Sequence, residues 1–170
     1  MQYQNKADLF RELSIYLRLH SRNRFRNREN LPVPRYRGLY KIQIWGESEP
    51  VLGLGIDLID GVTFDTIWST LTEIEQTQSR NGLEIELLAL LKKLHANGLL
   101  HGDITGKNLL FPREGTKHSR FDFEKAVFID FVQSELRDLL EVVDNKTWED
   151  CCLSDEEDMR ELVKAGGVAL

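Results

Sequence analysis

Apolar residues in the first part of the chain recur at helical spacing. Residues 7–20 carry leucine and aromatic side chains three or four positions apart, which predicts an amphipathic helix. The predicted buried face consists of Leu9, Leu13, Tyr16 and Leu17, with Phe10 adjoining. A segment with two prolines, residues 31–38, follows, and a helix does not cross such a segment.

The pattern then changes to that of strands. Residues 39–45 alternate between apolar and polar side chains as a half-buried strand does, and residues 51–59 form a second apolar run. The polar residues 46–50 between them predict a turn, so the two runs predict an antiparallel hairpin. A short helix is predicted to follow, with Thr63 as its cap.

The clearest helical pattern is at residues 83–96, where leucines form a wide apolar face and Asn97-Gly98 supplies a helix stop. Beyond it, residues 108–111 and 126–131 predict two short strands on either side of a charged turn. Residues 135–163 predict helix in pieces, with an acidic break around Ser154 to Asp158.

Composition narrows the class of protein. The 170 residues are 41% hydrophobic and 29% charged, which is typical of one globular domain. No run approaches the roughly 20 apolar residues of a membrane span, and the first residues lack the pattern of a secretory signal. The two cysteines, Cys151 and Cys152, are adjacent and form neither an ordinary disulfide nor a metal cage. We therefore expect an intracellular protein in a reducing compartment, with no membrane partner.

The net charge of −6 is unevenly distributed. Arginines crowd residues 18–37, whereas residues 135–161 are rich in Asp and Glu. A basic stretch of this kind could contact nucleic acid or a phosphorylated partner. Because no aromatic platform or nucleic-acid motif accompanies it, a solvated helix end and loop is the favoured interpretation.

Candidate chemistry is concentrated between residues 94 and 131. Asp103 is followed five residues later by Asn108, and Asp130 ends an apolar strand. Phosphoryl transfer needs a carboxylate that orients the attacking hydroxyl and oxygen ligands that hold Mg²⁺ against the phosphates. The three residues are of the right types in the right order, although Asp and Asn also commonly cap turns.

The segments HGDITGKNLL (101–110) and FIDFV (128–132) resemble the catalytic loop and the metal-binding segment of the protein-kinase-like superfamily. Most members have HRDLKPEN and DFG there, and LHANGLLHGD (94–103) resembles the joint that leads into the catalytic loop. With Thr105 two residues after Asp103, the loop is closer to small atypical kinases, such as those of the tRNA threonylcarbamoylation complex, and to fungal kinase-like proteins.

The resemblance implies a role for each residue of the motif. Asp103 would be the catalytic base, Asn108 a Mg²⁺ ligand and Asp130 the main Mg²⁺ ligand. His101 would brace the loop rather than take part in catalysis. The residues that would bind ATP are Glu12, at the place of the helix C glutamate, the hinge residues Asp57, Leu58, Ile59 and Asp60, and the loop residues Thr105 and Lys107.

Several departures from the family pattern bear on activity. The glycine-rich loop and the strand lysine that reaches the phosphates do not precede Glu12, and Lys6 is too close to Glu12 to be that lysine. Gly102 stands where many kinases have an arginine that receives a phosphate, and Val132 stands where they have a glycine. These departures predict a kinase-like domain that lacks its first strands.

The resulting prediction is an α+β protein-kinase-like fold over residues 1–170. Residues 1–60 would form a reduced N-lobe of one helix and an antiparallel hairpin that ends in the hinge, and residues 61–170 a short, mainly helical C-lobe.

The expected function is ATP- and Mg²⁺-dependent phosphoryl transfer to a Ser/Thr or other hydroxyl of a protein or small molecule. One alternative is a pseudokinase that acts as a binding or scaffold module. Another is a small-molecule kinase of the aminoglycoside or choline type.

Overall fold

The computed structural model describes residues 6–20, 31–46, 48–113, 125–138 and 144–166. The arginines predicted to form a basic stretch between residues 21 and 30 lie outside these ranges. In chain order the described elements are α1 (Lys6–His20), β1 (Tyr36–Ile42), β2 (Val51–Ile56), β3 (Gly61–Thr63), α2 (Phe64–Thr70), α3 (Glu73–Ala96), β4 (Leu99–Leu100), β5 (Leu109–Pro112), β6 (Val127–Phe128), β7 (Glu135–Leu136) and α4 (Asn145–Ala165).

The first helix forms where the sequence predicts it, but the predicted buried face is partly wrong. Phe10 and Leu17 are about half exposed, at 49% and 48%. The face that packs into the core is instead rotated so that it contains a charged residue, and its buried members are Leu9, Glu12, Ile15, Tyr16 and Leu19. A hydrophobic pattern could not reveal this rotation, because a carboxylate occupies the middle of the buried stripe.

The predicted hairpin is confirmed, with different bounds. Strands β1 and β2 pair antiparallel from Tyr36↔Ile56 to Ile42↔Val51. The first strand begins inside the segment with prolines, and the second ends at Ile56, so that residues 57–60 connect β2 to β3 without strand pairing. The expected hinge therefore leads directly from the hairpin into β3.

Helix α2 confirms the predicted cap, since the Thr63 side chain accepts a hydrogen bond from the Thr66 N–H. Helix α3 begins at Glu73, well before the predicted start near Leu83. The reason is a capping box in which the side chains of Thr72 and Glu75 each bond the backbone N–H of the other. This box starts the helix in a polar stretch that shows no apolar periodicity.

The two short strands predicted around the charged turn are β5 and β6, which pair antiparallel as Leu109↔Phe128 and Leu110↔Val127. Strand β3 pairs with the other edge of β5 and completes a three-stranded sheet. Strands β4 and β7 form a separate two-stranded pair that the sequence did not predict, because two residues are too few for a period. Together these pairs set the two ends of the loop at residues 101–108.

The acidic break predicted around Ser154 to Asp158 is wrong. Helix α4 runs without interruption from Asn145 to Ala165, and Asp155 and Glu156 lie on its buried face at 5% and 8% exposure. The helix continues there because the buried Asp155 carboxylate accepts hydrogen bonds from the neighbouring loop.

One hydrophobic core joins all four described helices to the sheets. Its largest side chains with almost no exposure include aromatic residues from α1, α2, two strands and the segment after β6, namely Tyr16, Phe64, Phe111, Phe128 and Phe131. Small antiparallel sheets and helices thus share one core, which confirms the α+β class. Within the described residues, no helix combines the length and apolar character that a membrane crossing requires.

Alanine substitutions at two glycines are expected to change the free energy of unfolding in opposite directions, and together they test the assigned helix bounds. Gly82 lies inside α3, and a Cβ built on it meets no atom within 4 Å. Gly82→Ala is therefore expected to raise the free energy of unfolding by about 0.5–1 kcal/mol, as Gly-to-Ala changes in helices do.

Gly166 ends α4 at φ 72°, and its Cβ would lie 2.1 Å from Trp68 Nε1. Gly166→Ala is expected to lower the free energy of unfolding by more than about 1 kcal/mol, since the left-handed conformation alone costs that much. Chemical denaturation of both variants measures the two changes. A shift of the same sign in both would contradict the assigned helix ends.

Candidate active site

A single carboxylate of α4, that of Asp155, holds the loop between β4 and β5, residues 101–108, through hydrogen bonds. Asp155 Oδ2 accepts from the His101 N–H at 2.8 Å, and Oδ1 accepts from the Gly102 N–H at 3.1 Å. His95 Nε2, at the end of α3, lies 3.2 Å from Asp155 Oδ2. Three donors from two elements therefore converge on one buried side chain.

These contacts explain the ionisation of Asp155. Burial alone disfavours the charged carboxylate, but the hydrogen bonds from His95 and from the two loop N–H groups outweigh it and hold the pKa of Asp155 below its ordinary value. Asp155 is thus a fixed negative charge beneath the loop.

His101 connects the loop to the strand that carries Asp130. Its Nδ1 accepts from the Asp103 N–H at 3.3 Å, and its Nε2 lies 3.1 Å from the Ile129 carbonyl. This pattern requires the neutral tautomer with hydrogen on Nε2. Burial lowers the pKa of His101 and outweighs the nearby carboxylates, Asp103 and Asp130 among them, so the ring is neutral. The expectation that His101 braces the loop agrees with this geometry.

Gly102 permits the sharp turn that precedes Asp103. Its φ is 74°, and a Cβ on it would lie 2.5 Å from the Gln133 carbonyl oxygen. A side chain of any kind would therefore be strained and would collide with the backbone. The glycine that departs from the family pattern thus has a local structural reason.

Asp103 and Asn108 are joined directly. Asn108 Nδ2 donates to Asp103 Oδ2 at 2.7 Å and to the Asp103 carbonyl at 3.1 Å, and its own N–H donates to the Thr105 carbonyl at 3.1 Å. Asn108 is 8% exposed, whereas Asp103 is half-buried. One carboxylate oxygen of Asp103 is thereby oriented, and the other is left for a different partner.

Asp130 is brought to the same place by the pairing of β5 with β6. The Ile129 N–H donates to the Asn108 carbonyl at 2.9 Å, so Asp130 follows a residue bonded to Asn108. Asp130 has φ 63° and is the one non-glycine residue with positive φ among the described residues. Such a conformation costs about 1–3 kcal/mol and tends to occur at functional sites.

Phe131 anchors the segment after Asp130 to helix α1. Its fully buried ring makes an edge contact with Tyr16 at 5.5 Å between centroids and packs against His101 at 5.3 Å. The Phe131 N–H donates to Glu12 Oε1 at 3.4 Å. The sequence offered no partner for Glu12 except Lys6; in the structure its buried carboxylate accepts from the backbone beside Asp130.

The expected hinge residues 57–60 differ in their backbone hydrogen bonds. The Asp57 N–H donates to the Arg35 carbonyl at 2.9 Å, and the Asp60 carbonyl accepts from the Arg113 N–H at 2.8 Å. Leu58 is 96% exposed, and neither it nor Ile59 makes a backbone–backbone hydrogen bond to another described residue. The backbone groups left for a ligand are therefore mainly those in the middle of the hinge.

The two remaining loop residues lie on the rim of the site. Thr105 is partly buried and contributes its carbonyl to the Asn108 contact, while the Lys107 side chain is exposed. Neither touches the Asp103 carboxylate in any described contact. Their predicted roles toward phosphate remain predictions.

The residues of the site fit a Mg²⁺ ion. Within the described ranges, no group of three or more His, Cys, Asp or Glu side chains could enclose a metal. Mg²⁺ does not need such a cage, because it usually takes one or two protein oxygens and completes its octahedron with water and substrate phosphates. The Asp130 carboxylate supplies one such oxygen. Asn108 directs its Nδ2 at Asp103, which leaves its Oδ1 for the ion.

Sequence reasoning missed two residues that shape this site. Asp155 carries the loop, and Ser134 Oγ donates to the His101 carbonyl at 2.6 Å. A signal for Asp155 exists in the sequence, since it falls on the same helical stripe as Trp148, Met159 and Leu162. A carboxylate on an apolar stripe indicates a buried, hydrogen-bonded role. No comparable signal marks Ser134.

Structures of the Rad53 kinase are among the solved structures that are similar to this chain. The crystal structure of the Rad53 kinase domain and SCD2 is 17% identical with a TM-score of 0.61, and the match covers 96% of this chain and 52% of that one. The crystal structure of Rad53 1-466 in complex with AMP-PNP is 18% identical with a TM-score of 0.59, and the match covers 98% of this chain and 37% of that one. No protein-family model and no curated protein sequence matches the chain.

At these identities the likeness concerns the fold. The chain has a reduced protein-kinase-like α+β fold, and its described residues form small antiparallel sheets and four helices. It spans about half the length of the first Rad53 chain and little more than a third of the second.

The role of Asp155 leads to a stability prediction. Asp155→Asn is expected to lower the free energy of unfolding at neutral pH by about 2 kcal/mol or more, because an amide group faces the two loop N–H donors with only one acceptor. The folded pKa lies below the ordinary value of 3.8, so the stabilisation by Asp155 is present above that pH and is lost as the pH falls through the folded pKa.

Asp158, three residues further along α4, is the matched control. Burial and the neighbouring Asp155 and Glu157 charges raise its pKa, so its ionisation opposes folding. Asp158→Asn is expected to keep or increase stability at neutral pH, and its gain should disappear in acid. Denaturant titrations at neutral and acid pH compare the two variants, and equal losses in both would contradict the role given to Asp155.

Proposed function

We propose that this chain is an ATP- and Mg²⁺-dependent phosphotransferase of the protein kinase type, which transfers the γ-phosphoryl group of ATP to a Ser/Thr or other hydroxyl. The observation that carries the proposal is the contact between Asn108 Nδ2 and Asp103 Oδ2, together with the bond from Ile129 that sets Asp130 beside Asn108. A candidate base and two candidate metal ligands thereby share one small region.

Asp103 has the role of orienting the acceptor hydroxyl and accepting its proton. Its Oδ2 is held by Asn108, and its N–H is held by His101 Nδ1, so the position of the carboxylate is determined by two neighbours. Oδ1 is the oxygen that would face the hydroxyl. Positioning of this kind accounts for much of the catalysis in phosphoryl transfer.

Asn108 and Asp130 would hold the metal. When bound there, the ion would supply positive charge that stabilises the charge developing on the phosphates. Asp130 supplies the full negative charge and Asn108 a neutral oxygen. The left-handed backbone conformation of Asp130 supports this role, since such conformations tend to occur at functional sites. The hydrogen bond from the Phe131 N–H to Glu12 stabilises this segment against α1.

Nucleotide binding is assigned to the hinge and to the rim of the site. The backbone groups at Leu58 and Ile59, between Asp57 and Asp60, would bind the adenine edge. Thr105 and Lys107 would approach the phosphates. Glu12 acts indirectly in this arrangement, since its carboxylate holds the Phe131 N–H next to Asp130.

A pseudokinase is the second candidate, and one observation favours it. Before the hinge, the described residues form a sheet of only two strands, so the described part of the chain offers no third strand from which a lysine could reach the phosphates. In that case the same fold would bind a nucleotide or a protein without transferring phosphate.

Two measurements separate these possibilities. Calorimetry with Mg-ATP measures binding, and transfer of radiolabelled phosphate from ATP to the chain, to a mixed peptide library or to hydroxyl-bearing small molecules measures activity. Transfer supports the proposal, and the acceptor that is labelled distinguishes a protein kinase from a small-molecule kinase. Binding without transfer supports the pseudokinase, and the absence of binding with Mg²⁺ overturns the nucleotide site.

Asp130 is predicted to dominate affinity for the metal-nucleotide complex. Asp130→Ala is expected to abolish Mg²⁺-dependent ATP binding in calorimetry, because it removes the one full charge assigned to the ion, while thermal unfolding stays cooperative. Asp150→Ala, an exposed carboxylate on α4, is the matched control and should bind as the parent does. Equal Mg-ATP affinity in Asp130→Ala and the parent would remove Asp130 from the site.

Asp103 is predicted to affect turnover more than binding. Asp103→Asn is expected to reduce phosphoryl transfer by about 100-fold or more while most nucleotide affinity remains, because the base acts on the acceptor. Rates at saturating ATP and affinities for Mg-ATP are measured on the same preparation. Parallel loss of both would mean that Asp103 supports the loop, and unchanged turnover would exclude it as the base.

A further inference from the structure

A cavity of about 540 Å³ lies where the end of α1, the end of α3 and the residues after β7 meet. Its volume is in the range of small-ligand sites. None of the candidate catalytic, metal or nucleotide residues lines it. The side chains and backbone that give it its character belong to Arg18, His95, Asn97, Gly98, Arg137 and Asp138.

The charged groups of this cavity are unbalanced toward positive charge. Arg18 and Arg137 contribute two guanidinium groups, and Asp138 contributes the one carboxylate among the lining residues. Arg18 Nε donates to Asp138 Oδ2 at 2.8 Å, so this carboxylate is already matched by one arginine. The charge of the second arginine remains for an anion.

Arg137 is fixed in place before any ligand arrives. Its guanidinium lies over the Trp148 ring at 5.4 Å from the centroid, its Nη2 donates to Asn145 Oδ1, and its backbone N–H donates to the Gly98 carbonyl at 2.8 Å. A guanidinium has five N–H donors, and the side-chain contacts described here use one of them. The remaining fork is pre-organised for an oxyanion, which reduces the entropy lost on binding.

His95 links the cavity to the candidate active site. Its Nε2 lies 3.2 Å from Asp155 Oδ2, and Asp155 holds the N–H groups of His101 and Gly102. Its buried Nδ1 has no hydrogen-bond partner among the described residues. A ligand that shifts this ring therefore shifts the acceptor on which the catalytic loop rests.

We propose that this cavity binds a phosphate monoester, whose oxygens accept from the guanidinium groups of Arg137 and Arg18. Phosphate oxygens match the planar donor fork, and the excess positive charge of the lining attracts the negatively charged group. The phosphate could be carried by a small molecule or by a phosphorylated peptide segment, and both present the same group to the arginines.

Calorimetry without Mg²⁺, with phenyl phosphate as the probe, tests the site. Arg137→Gln and Arg18→Gln are each expected to weaken binding at least about tenfold, in line with loss of a charge-assisted hydrogen bond. Asp138→Asn is expected to tighten binding, because it removes the opposing carboxylate, and a gain of this kind cannot come from unfolding. Arg160→Gln on α4 is the matched control, since Arg160 bonds Glu156 and Glu157 and does not line the cavity.

The outcomes decide the proposal. No binding by the parent at millimolar phenyl phosphate, or equal affinities in the parent, Arg18→Gln and Arg137→Gln, would overturn it. Benzoate that binds as tightly as phenyl phosphate would overturn the assignment to phosphate. A phosphoserine peptide that binds more tightly than phenyl phosphate identifies a phosphorylated segment as the source, and one that binds no more tightly identifies a small phosphate ester.

A spectroscopic measurement tests the link through His95. Saturation with phenyl phosphate is expected to shift the backbone amide signals of His101 and Gly102 in the nuclear magnetic resonance spectrum, and Arg137→Gln should remove that shift at the same ligand concentration. Bound ligand with unchanged signals at both residues would overturn the coupling to the loop.

Discussion

The backbone N–H groups of His101 and Gly102 both donate to the buried carboxylate of Asp155, and the geometry of the candidate site depends on these two hydrogen bonds. Asp155 belongs to α4, whereas the two amides belong to the loop between β4 and β5. A buried N–H without an acceptor costs roughly 1–3 kcal/mol, so the loop keeps the one conformation that satisfies both. The neutral ring of His101 in turn forms a hydrogen bond with the Ile129 carbonyl. The loop is thereby connected to the residue that precedes Asp130. A helix that contributes no reacting group thus sets the position of the groups that would react.

Helix α1 holds the same region from the opposite side. Tyr16 packs against Phe131, and Glu12 accepts from the Phe131 N–H, so one turn of α1 supplies both an apolar and a polar contact to the segment after Asp130. These contacts explain why the buried face of α1 is rotated away from its most apolar side. Leu17 and Phe10 are left about half exposed, whereas Glu12 and Tyr16 contact the candidate site. Tertiary hydrogen bonding here outweighs the hydrophobic pattern of the isolated helix.

Most of the fold could be predicted from the sequence, because periodicity, turn residues and caps act locally. The hairpin, α2 with its Thr63 cap, the leucine face of α3 and the two strands around Asn108 and Asp130 all follow from such signals. Contacts between distant segments could not be predicted: the β4–β7 pair, the Glu12 contact and the burial of Asp155 each depend on a partner at least 35 residues away. In the candidate site, the spacing of Asp103, Asn108 and Asp130 was visible in the sequence, whereas the support beneath them was not. An acidic cluster resembles a helix break unless the amides that donate hydrogen bonds to its buried carboxylate are known.

The distance along the chain between Asp155 and the loop has a consequence for biosynthesis. Asp155 follows His101 by 54 residues, so the loop is made long before its acceptor. During translation, which proceeds at about 5–20 residues per second, the segment with Asp103 and Asn108 leaves the ribosome while its two amides still face water. Only after α4 has emerged and docked does the loop reach the geometry assigned to it. The nascent chain therefore completes both its core and the arrangement of the candidate site only when α4 docks, and a chain that stops short of α4 is expected to lack that arrangement altogether.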